Sequence, residues 1–199
     1  YEYARPEVEP DIPDSRVYIA VGASSLGVLS SQGVEVLELW RPDKYWKPKI
    51  EAVEARMKPL LKGSRKHKKL AEARRKMFDI LAKQQRQHHA EVVQRLLKLG
   101  VHFVVTEHVV RSKDGCLADH GDAERRGSLG LNWAAQNTGN IAAFVAQLQV
   151  KVSEHGGSVT KHKIPLEDVP RFQGEGHHNK EAMVRSLRES YLKSQFAVA

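Results

Sequence analysis

The sequence is poor in cysteine, because Cys116 is the one residue of this type in 199. A single cysteine excludes a disulfide within the chain and a zinc site made of four cysteines. The sequence also lacks a run of about 18–20 apolar residues, the length that a membrane-spanning helix needs. No secretory signal stands at its start. These absences predict an intracellular, cytoplasmic protein with no membrane partner.

Acidic residues are also scarce relative to basic ones. The chain has 32 Lys and Arg against 24 Asp and Glu, which gives a formal net charge of +8. Such an excess favours a polyanion as the partner, and nucleic acid is the commonest one. Because the chain opens at Tyr1, we expect it to be part of a longer protein.

Hydrophobic periodicity divides the chain into strands and helices. Apolar, β-branched segments predict strands at residues 16–22, 25–30, 34–40, 101–106 and 158–164. Helical spacing predicts helices at residues 47–61, 65–99 and 139–154, and a last amphipathic helix after Asn179. Gln32-Gly33 predicts a turn, and Ser64 predicts an N-terminal cap of the long helix. Gly100 is predicted to end that helix, and Gly156-Gly157 to end the helix at 139–154.

The order of these elements indicates an α/β fold. Three short strands in succession favour an antiparallel meander, and helices before both later strands favour parallel crossovers. We therefore expect a mixed five-stranded sheet in which residues 16–22 are central and pair in parallel with residues 101–106. Other α/β sheets have the same order. The predicted organisation is an extended lead-in at residues 1–15, a domain at 16–165, and a loop with a C-terminal amphipathic helix at 166–199.

Four stretches, taken together, resemble a known family. Residues 19–27 (IAVGASSLG) resemble the first motif of RuvC-type nuclease domains, and residues 62–76 resemble the basic helix of the TnpB/OrfB transposon family. Residues 104–107 (VVTE) resemble that family's second motif, and residues 131–148 resemble the helix that follows it. The resemblance covers residues 16–165. It implies an RNase H-like sheet with flanking helices, one of them long and basic.

The relatives of this family are the type V CRISPR effectors, and the resemblance implies RNA-guided DNA binding. The implied partners are a guide RNA and a target DNA, together with further domains or protein subunits. Most members cut DNA with two Mg²⁺ ions held by carboxylates. The first carboxylate belongs at the position of Ala20, the second is Glu107, and the third belongs near His177.

This sequence departs from the family pattern at the metal ligands. The methyl group of Ala20 cannot bind Mg²⁺, which prefers oxygen ligands. No Asp follows Asp168, and the four-cysteine ribbon of the family is absent. Ala20 is explained either by an engineered change from Asp or by natural decay of the site, and the other two departures favour decay. We therefore predict no metal and no cofactor in this form, with Mg²⁺ returning only if the site is restored.

Three functions remain open at this point. The first is an RNA-guided-type nucleic-acid-binding protein whose nuclease site is incomplete and inactive. The second is an active metal-dependent DNA nuclease or transposase whose first Asp is mutated to Ala20 here and whose third acid lies outside this chain. The third is a structural RNase H-like module in a ribonucleoprotein assembly.

The long helix and the segment before it carry most of the binding prediction. Their basic side chains are Lys62, Arg65, Lys66, Lys68, Lys69, Arg74, Arg75, Lys76, Lys83 and Arg86. Only Glu72 and Asp79 are acidic in the same span, too few to pair with ten cations. Such a run predicts salt-sensitive contacts with phosphates, and the alternative is a solvated helix face.

Other candidates are weaker. Glu107, at a strand end without a carboxylate at position 20, is better explained as the partner of a nearby cation than as a metal ligand. Loop acids at Asp114, Asp119, Asp122 and Glu124 more often face water than hold a metal. The pairs His88-His89 and His177-His178 do not chelate well, because neighbours on a helix point about 100° apart. The tryptophans, more often core residues than base-stacking platforms, are Trp40, Trp46 and Trp133.

Overall fold

The structure is a computed structural model of the chain, and it describes residues 15–22, 25–106, 140–165, 168 and 180–196. Its strands are β1 (Val17–Val21), β2 (Ser25–Ser30), β3 (Gly33–Glu38), β4 (His102–Thr106) and β5 (Ser158–His162). Its helices are α1 (Pro42–Met57), α2 (Arg65–Leu97), α3 (Asn140–Glu154) and α4 (Lys180–Phe196).

The five strands form one mixed sheet in the order β3-β2-β1-β4-β5, an RNase H-like arrangement. β1 pairs antiparallel with β2, so that Ala20 lies opposite Gly27, and pairs in parallel with β4, so that Ile19 lies opposite Val105. β1 and the middle of β4 are buried on both faces, as their unbroken apolar runs require. The predicted central strand and its parallel partner are therefore confirmed.

Side chains alternate across β1, and each set meets a different helical layer. Val17, Ile19 and Val21 face the core under α3 and the C-terminal end of α2, which contributes Val92, Val93 and Leu96. Tyr18 and Ala20 face the opposite layer. That layer is α4, whose contributions are Val184, Leu187 and Tyr191. The sheet thus lies between two helical layers, and α4 packs directly over position 20.

Turn and cap residues explain several ends of the helices and strands. At two of these ends the structure differs from the prediction. Gly33 adopts a φ of 112° after the turn that links β2 to β3, as the Gln32-Gly33 pattern predicts. Gly156, with a φ of 70°, follows α3 as a C-terminal glycine. The same prediction for Gly100 is wrong, because α2 ends through Lys98 in a right-handed conformation and Gly100 has no positive φ. α1 begins at Pro42 instead of residue 47, since a proline suits the first turn of a helix.

α1 and α2 form a helical hairpin with a small core of its own. Trp46, Ile50 and Leu81 are buried there, apart from the two clusters on the sheet. α2 has 33 residues, which corresponds to about 50 Å of helix. Its first residue, Arg65, is therefore about 40 Å along the axis from Val92, where the sheet core begins. The turn between α1 and α2 is thus the far end of the hairpin.

None of the helices in the described ranges combines the length and the apolar character needed to cross a membrane.

Candidate nucleic-acid interface

Side-chain hydrogen bonds fix the two hairpin helices antiparallel. Near the base, the Trp46 Nε1 donates to Gln84 Oε1 at 2.8 Å. Further out, the Arg74 Nε donates to Glu54 Oε1 at 2.6 Å. As α1 advances from residue 46 to 54, its partner on α2 therefore retreats from 84 to 74. The segment between α1 and α2 forms the tip of this hairpin.

The base of the hairpin is anchored by polar contacts of low exposure. The backbone N of Trp40 donates to His88 Nε2 at 2.9 Å. Arg41 donates two hydrogen bonds of 2.7 Å to Asp43, whose side chain is almost fully buried. Burial opposes the ionisation of Asp43, but the hydrogen bonds and the charge of Arg41 outweigh it and hold the pKa of Asp43 below its usual value. The hydrogen bond from Trp40 to His88 thus joins the start of α1 to α2, so the hairpin is braced at its base.

The tip of the hairpin concentrates positive charge. Residues 55–71 contain no Asp or Glu, and the acids that border this span are Glu54 and Glu72. Seven exposed basic side chains lie within it, and we call them the basic tip: Arg56, Lys58, Lys62, Arg65, Lys66, Lys68 and Lys69. None of the seven forms a salt bridge with another residue that the structure describes. The tip is therefore a compact, accessible group of cations.

The structure divides the ten basic residues that the sequence singles out. Five of them, from Lys62 to Lys69, belong to the basic tip. Arg74 is bound to Glu54 of α1, and Lys76 is bound to Glu72 at 2.9 Å. The Arg86 Nε donates to the Ala82 carbonyl oxygen, and Arg75 and Lys83 are exposed along the same helix. The sequence analysis counted two acids as possible partners of these ten basic residues. The structure adds a third, Glu54 of α1, which pairs with Arg74.

Arg56 and Lys58 are members of the basic tip that the sequence analysis missed. They belong to the end of α1 and the turn after it, outside the long helix and the short segment before it. The sequence signal that identifies them is the absence of Asp and Glu from residue 55 to residue 71, because Arg56 and Lys58 lie within this span.

The tryptophans of the hairpin are structural, as the sequence analysis favoured. Trp46 is buried between α1 and α2, and Trp40 packs partly buried against the same cluster. His88 accepts the hydrogen bond from Trp40, and the buried ring of His89 meets Phe144 edge-on at 5.5 Å. His88 and His89 therefore each make a structural contact within the fold. Other candidates fall outside the described residues, namely Trp133, Cys116, His177-His178, Asn179 and the loop acids Asp114, Asp119, Asp122 and Glu124.

Position 20 lies at the centre of the sheet without a metal ligand. Ala20 is 1% exposed and packs in the layer under α4. The end of β1 is tied to β4 by a 2.9 Å hydrogen bond from the Val21 N to Thr106 Oγ1. Glu107 and His177, the other predicted members of the site, lie outside the described residues. Within the ranges that the structure covers, no three His, Cys, Asp or Glu side chains cluster so as to hold a metal.

A lysine that the sequence analysis did not select lies beside this position. The backbone of Lys180, the first residue of α4, passes over Gly27, and its ammonium end lies over Gly22. A Cβ atom at Gly22 would stand 2.6 Å from Lys180 Cε, so both glycines are needed to admit this lysine. Burial lowers the pKa of Lys180 below its usual value, because it penalises the charged form. A lysine here offers no oxygen ligand for Mg²⁺, and the described residues do not fit a two-metal site.

No protein-family model matches this sequence, and no curated protein matches it significantly.

Proposed function

We propose that the chain binds nucleic acid without cutting it, as a TnpB-like or type V CRISPR-like protein whose RuvC-like nuclease site is incomplete. The observation that carries this proposal is the basic tip, seven exposed cations within a span that has no acid. Phosphates of a guide RNA, a target DNA or their heteroduplex are the proposed ligands. The resemblance of residues 19–27 and 104–107 to nuclease motifs supports the choice of family.

The arrangement of charge at the tip is unfavourable for the isolated protein. The first turn of α2 contains Arg65, Lys66 and Lys68 and no acidic residue. The N-terminal end of a helix carries partial positive charge and prefers anions. Like charges three or four residues apart, such as Arg65 and Lys69, also repel each other. A polyanion relieves both effects, which favours a phosphate-binding role over a solvated helix face.

The remainder of the hairpin shows what an ordinary solvated face looks like in the same protein. Lys47 lies 3.8 Å from Glu51 on α1, and Lys76 lies 2.9 Å from Glu72 on α2. Both are pairs spaced four residues apart, which is common on exposed helices. The basic tip lacks such partners among the described residues, so the change of pattern coincides with the far end of the hairpin. Binding there would not be obstructed by the sheet.

Absence of cleavage follows from the chemistry around position 20. Ala20 offers no oxygen, and the amine end of Lys180 lies over Gly22, which directly follows β1. Two divalent ions need several carboxylates with strong negative charge. A methyl group and a lysine supply neither, so the proposed protein holds its ligand and leaves the phosphodiester intact.

The test is a salt titration of binding with labelled single-stranded RNA, duplex DNA and an RNA–DNA heteroduplex. Changing Arg65, Lys66 and Lys69 together to Ala should weaken binding to all sequences alike. It should also flatten the plot of log affinity against log salt by up to about 0.9 for each lost phosphate contact. The matched control changes three exposed lysines away from the basic tip, Lys98, Lys151 and Lys161, to Ala. Equal losses in both triple variants, or no binding by the unchanged protein, would contradict the proposal.

A further inference from the structure

The basic tip surrounds one exposed apolar side chain. Leu61 is 81% exposed, more than any other large apolar residue in the described part of the chain. It belongs to the turn between α1 and α2, with Lys58 before it and Lys62 directly after it. An isolated exposed leucine on a polar surface is ordinary. This one differs because it lies at the far end of a braced hairpin, inside the basic tip.

The backbone around Leu61 is held in a defined turn. The Leu61 carbonyl oxygen accepts a 3.1 Å hydrogen bond from the Ser64 N, and Gly63 has a φ of 87°. This combination is a type II turn, in which the third residue needs a positive φ. On the other side, the Leu60 N donates to the Met57 oxygen at 3.0 Å. Ser64 then caps α2 by accepting from the His67 N. Leu61 is therefore presented by a fixed backbone.

From these contacts we infer that Leu61 is a wedge that enters between stacked bases while the surrounding cations hold the flanking phosphates. The inference rests on the proposed function and specifies how the tip engages its ligand. Apolar side chains such as leucine do enter base steps in known complexes, where they unstack the bases and bend the duplex. The step entered is one that opens easily, such as a junction, a mismatch or the end of a heteroduplex.

The many cations and the small apolar area of the basic tip favour nucleic acid over a lipid surface as its ligand. Peripheral membrane helices bury a wide apolar face beside their cations. Here one leucine projects among seven cations, which gives little apolar area to insert. A base step offers a narrow apolar slot between two charged strands, and that shape matches a single projecting side chain. Vesicles containing phosphatidylserine provide the opposing arm of the test.

The experiment compares Leu61→Ala with the unchanged chain on duplexes that carry 2-aminopurine at a mismatch. Binding of the unchanged chain should raise the fluorescence of 2-aminopurine as the base unstacks. Leu61→Ala should lose this rise and bind the mismatched duplex severalfold more weakly, while its affinity for single strands stays the same. The matched control is Ile80→Ala, which removes an exposed apolar side chain from the same hairpin away from the tip. It should behave like the unchanged chain.

A second variant makes the test independent of lost binding. Leu61→Trp should have its emission quenched on a mismatched duplex and not on phosphatidylserine vesicles. If Leu61→Ala opens bases as the unchanged chain does, while the triple change of Arg65, Lys66 and Lys69 abolishes binding, the wedge is refuted and the proposed function stands. If the unchanged chain binds vesicles through Leu61 and binds no nucleic acid, both are refuted.

Discussion

The two ends of α2 belong to one continuous helix, but one end is apolar and buried and the other is basic and exposed. At the C-terminal end, Val92, Val93 and Leu96 are buried against the sheet. At the N-terminal end, Arg65, Lys66 and their neighbours are exposed and have no acidic partner among the described residues. The first end contributes to stability, and the second carries charge that folding does not need. The difference separates residues that hold the fold from residues that are available to a partner.

The same substitution at the buried end of α2 and in the turn that precedes its exposed end should give the largest contrast. Leu96 is fully buried, and Leu96→Ala should lower the free energy of unfolding by about 2–5 kcal/mol through lost contacts and a cavity. Leu61→Ala should change it by less than about 0.5 kcal/mol, since this side chain is exposed. Urea denaturation followed by circular dichroism measures both values. Similar losses would mean that the tip is packed against something within the protein.

Two glycines make a second comparison. Gly27 faces the backbone of Lys180, and a Cβ there would stand 2.9 Å from the Lys180 carbonyl carbon. Gly27→Ala should therefore cost about 1–3 kcal/mol, because backbone must move. Gly63 has open space around it and is limited only by its φ of 87°. Gly63→Ala should cost about 1–2 kcal/mol, the strain of a left-handed residue. Thermal melts would contradict this ranking if Gly63→Ala proved the more damaging change.

Two lysines give a smaller contrast that depends on pH. The pKa of Lys180 is lowered from its usual 10.5, so the unfolded chain binds more protons than the folded one between the two values. Stability from this residue should therefore rise with pH across that window. Lys180→Met should melt at a higher temperature at neutral pH and lack this rise. Lys66→Met at the exposed tip should raise the melting temperature at neutral pH by less than Lys180→Met does, and an equal or larger rise would contradict the assignment.

The smallest expected effect is a null result at position 20. Ala20→Asp should not produce cutting with Mg²⁺ or Mn²⁺, because the new carboxylate lies opposite Gly27, over which Lys180 passes. An acid at this place would neutralise the lysine before it could hold two ions. Plasmid nicking by the two forms measures the effect. Divalent-dependent nicking that appears only with the Ala20→Asp variant would favour an engineered change over decay, and nicking by the Ala20 form would restore the nuclease interpretation.

The sheet was predictable because its signals are local. The unbroken apolar runs of residues 17–21 and 103–105 suit strands that are covered on both faces, and the structure confirms their parallel pairing. The start of α1 was missed because Pro42 suggests a break, although proline is tolerated in a first turn. The end of α2 was misjudged because the glycine rule describes a frequent ending and not the right-handed exit through Lys98.

The site was less predictable because its pairings join distant parts of the chain. Nothing near Arg74 in sequence shows that Glu54 of another helix neutralises it. Nothing near Lys180 shows that it lies over Gly22 and Gly27. The tip itself was within reach of sequence reasoning, since a span without acids needs no tertiary information. The predicted roles of Glu107 and His177 stay predictions, because both lie outside the described residues.

The braced hairpin has a mechanical consequence. It is a lever whose fulcrum lies near Trp40 and Asp43, where hydrogen bonds of 2.7–2.9 Å brace its base. With an arm of about 35 Å from His88 to Arg65, a tilt of about 10° at the fulcrum displaces the far end by about 6 Å. A small rearrangement near the sheet is thereby amplified into a larger displacement of the basic tip. Conversely, a force on the tip acts with the same leverage on the hydrogen bond between the Trp40 N and His88 Nε2.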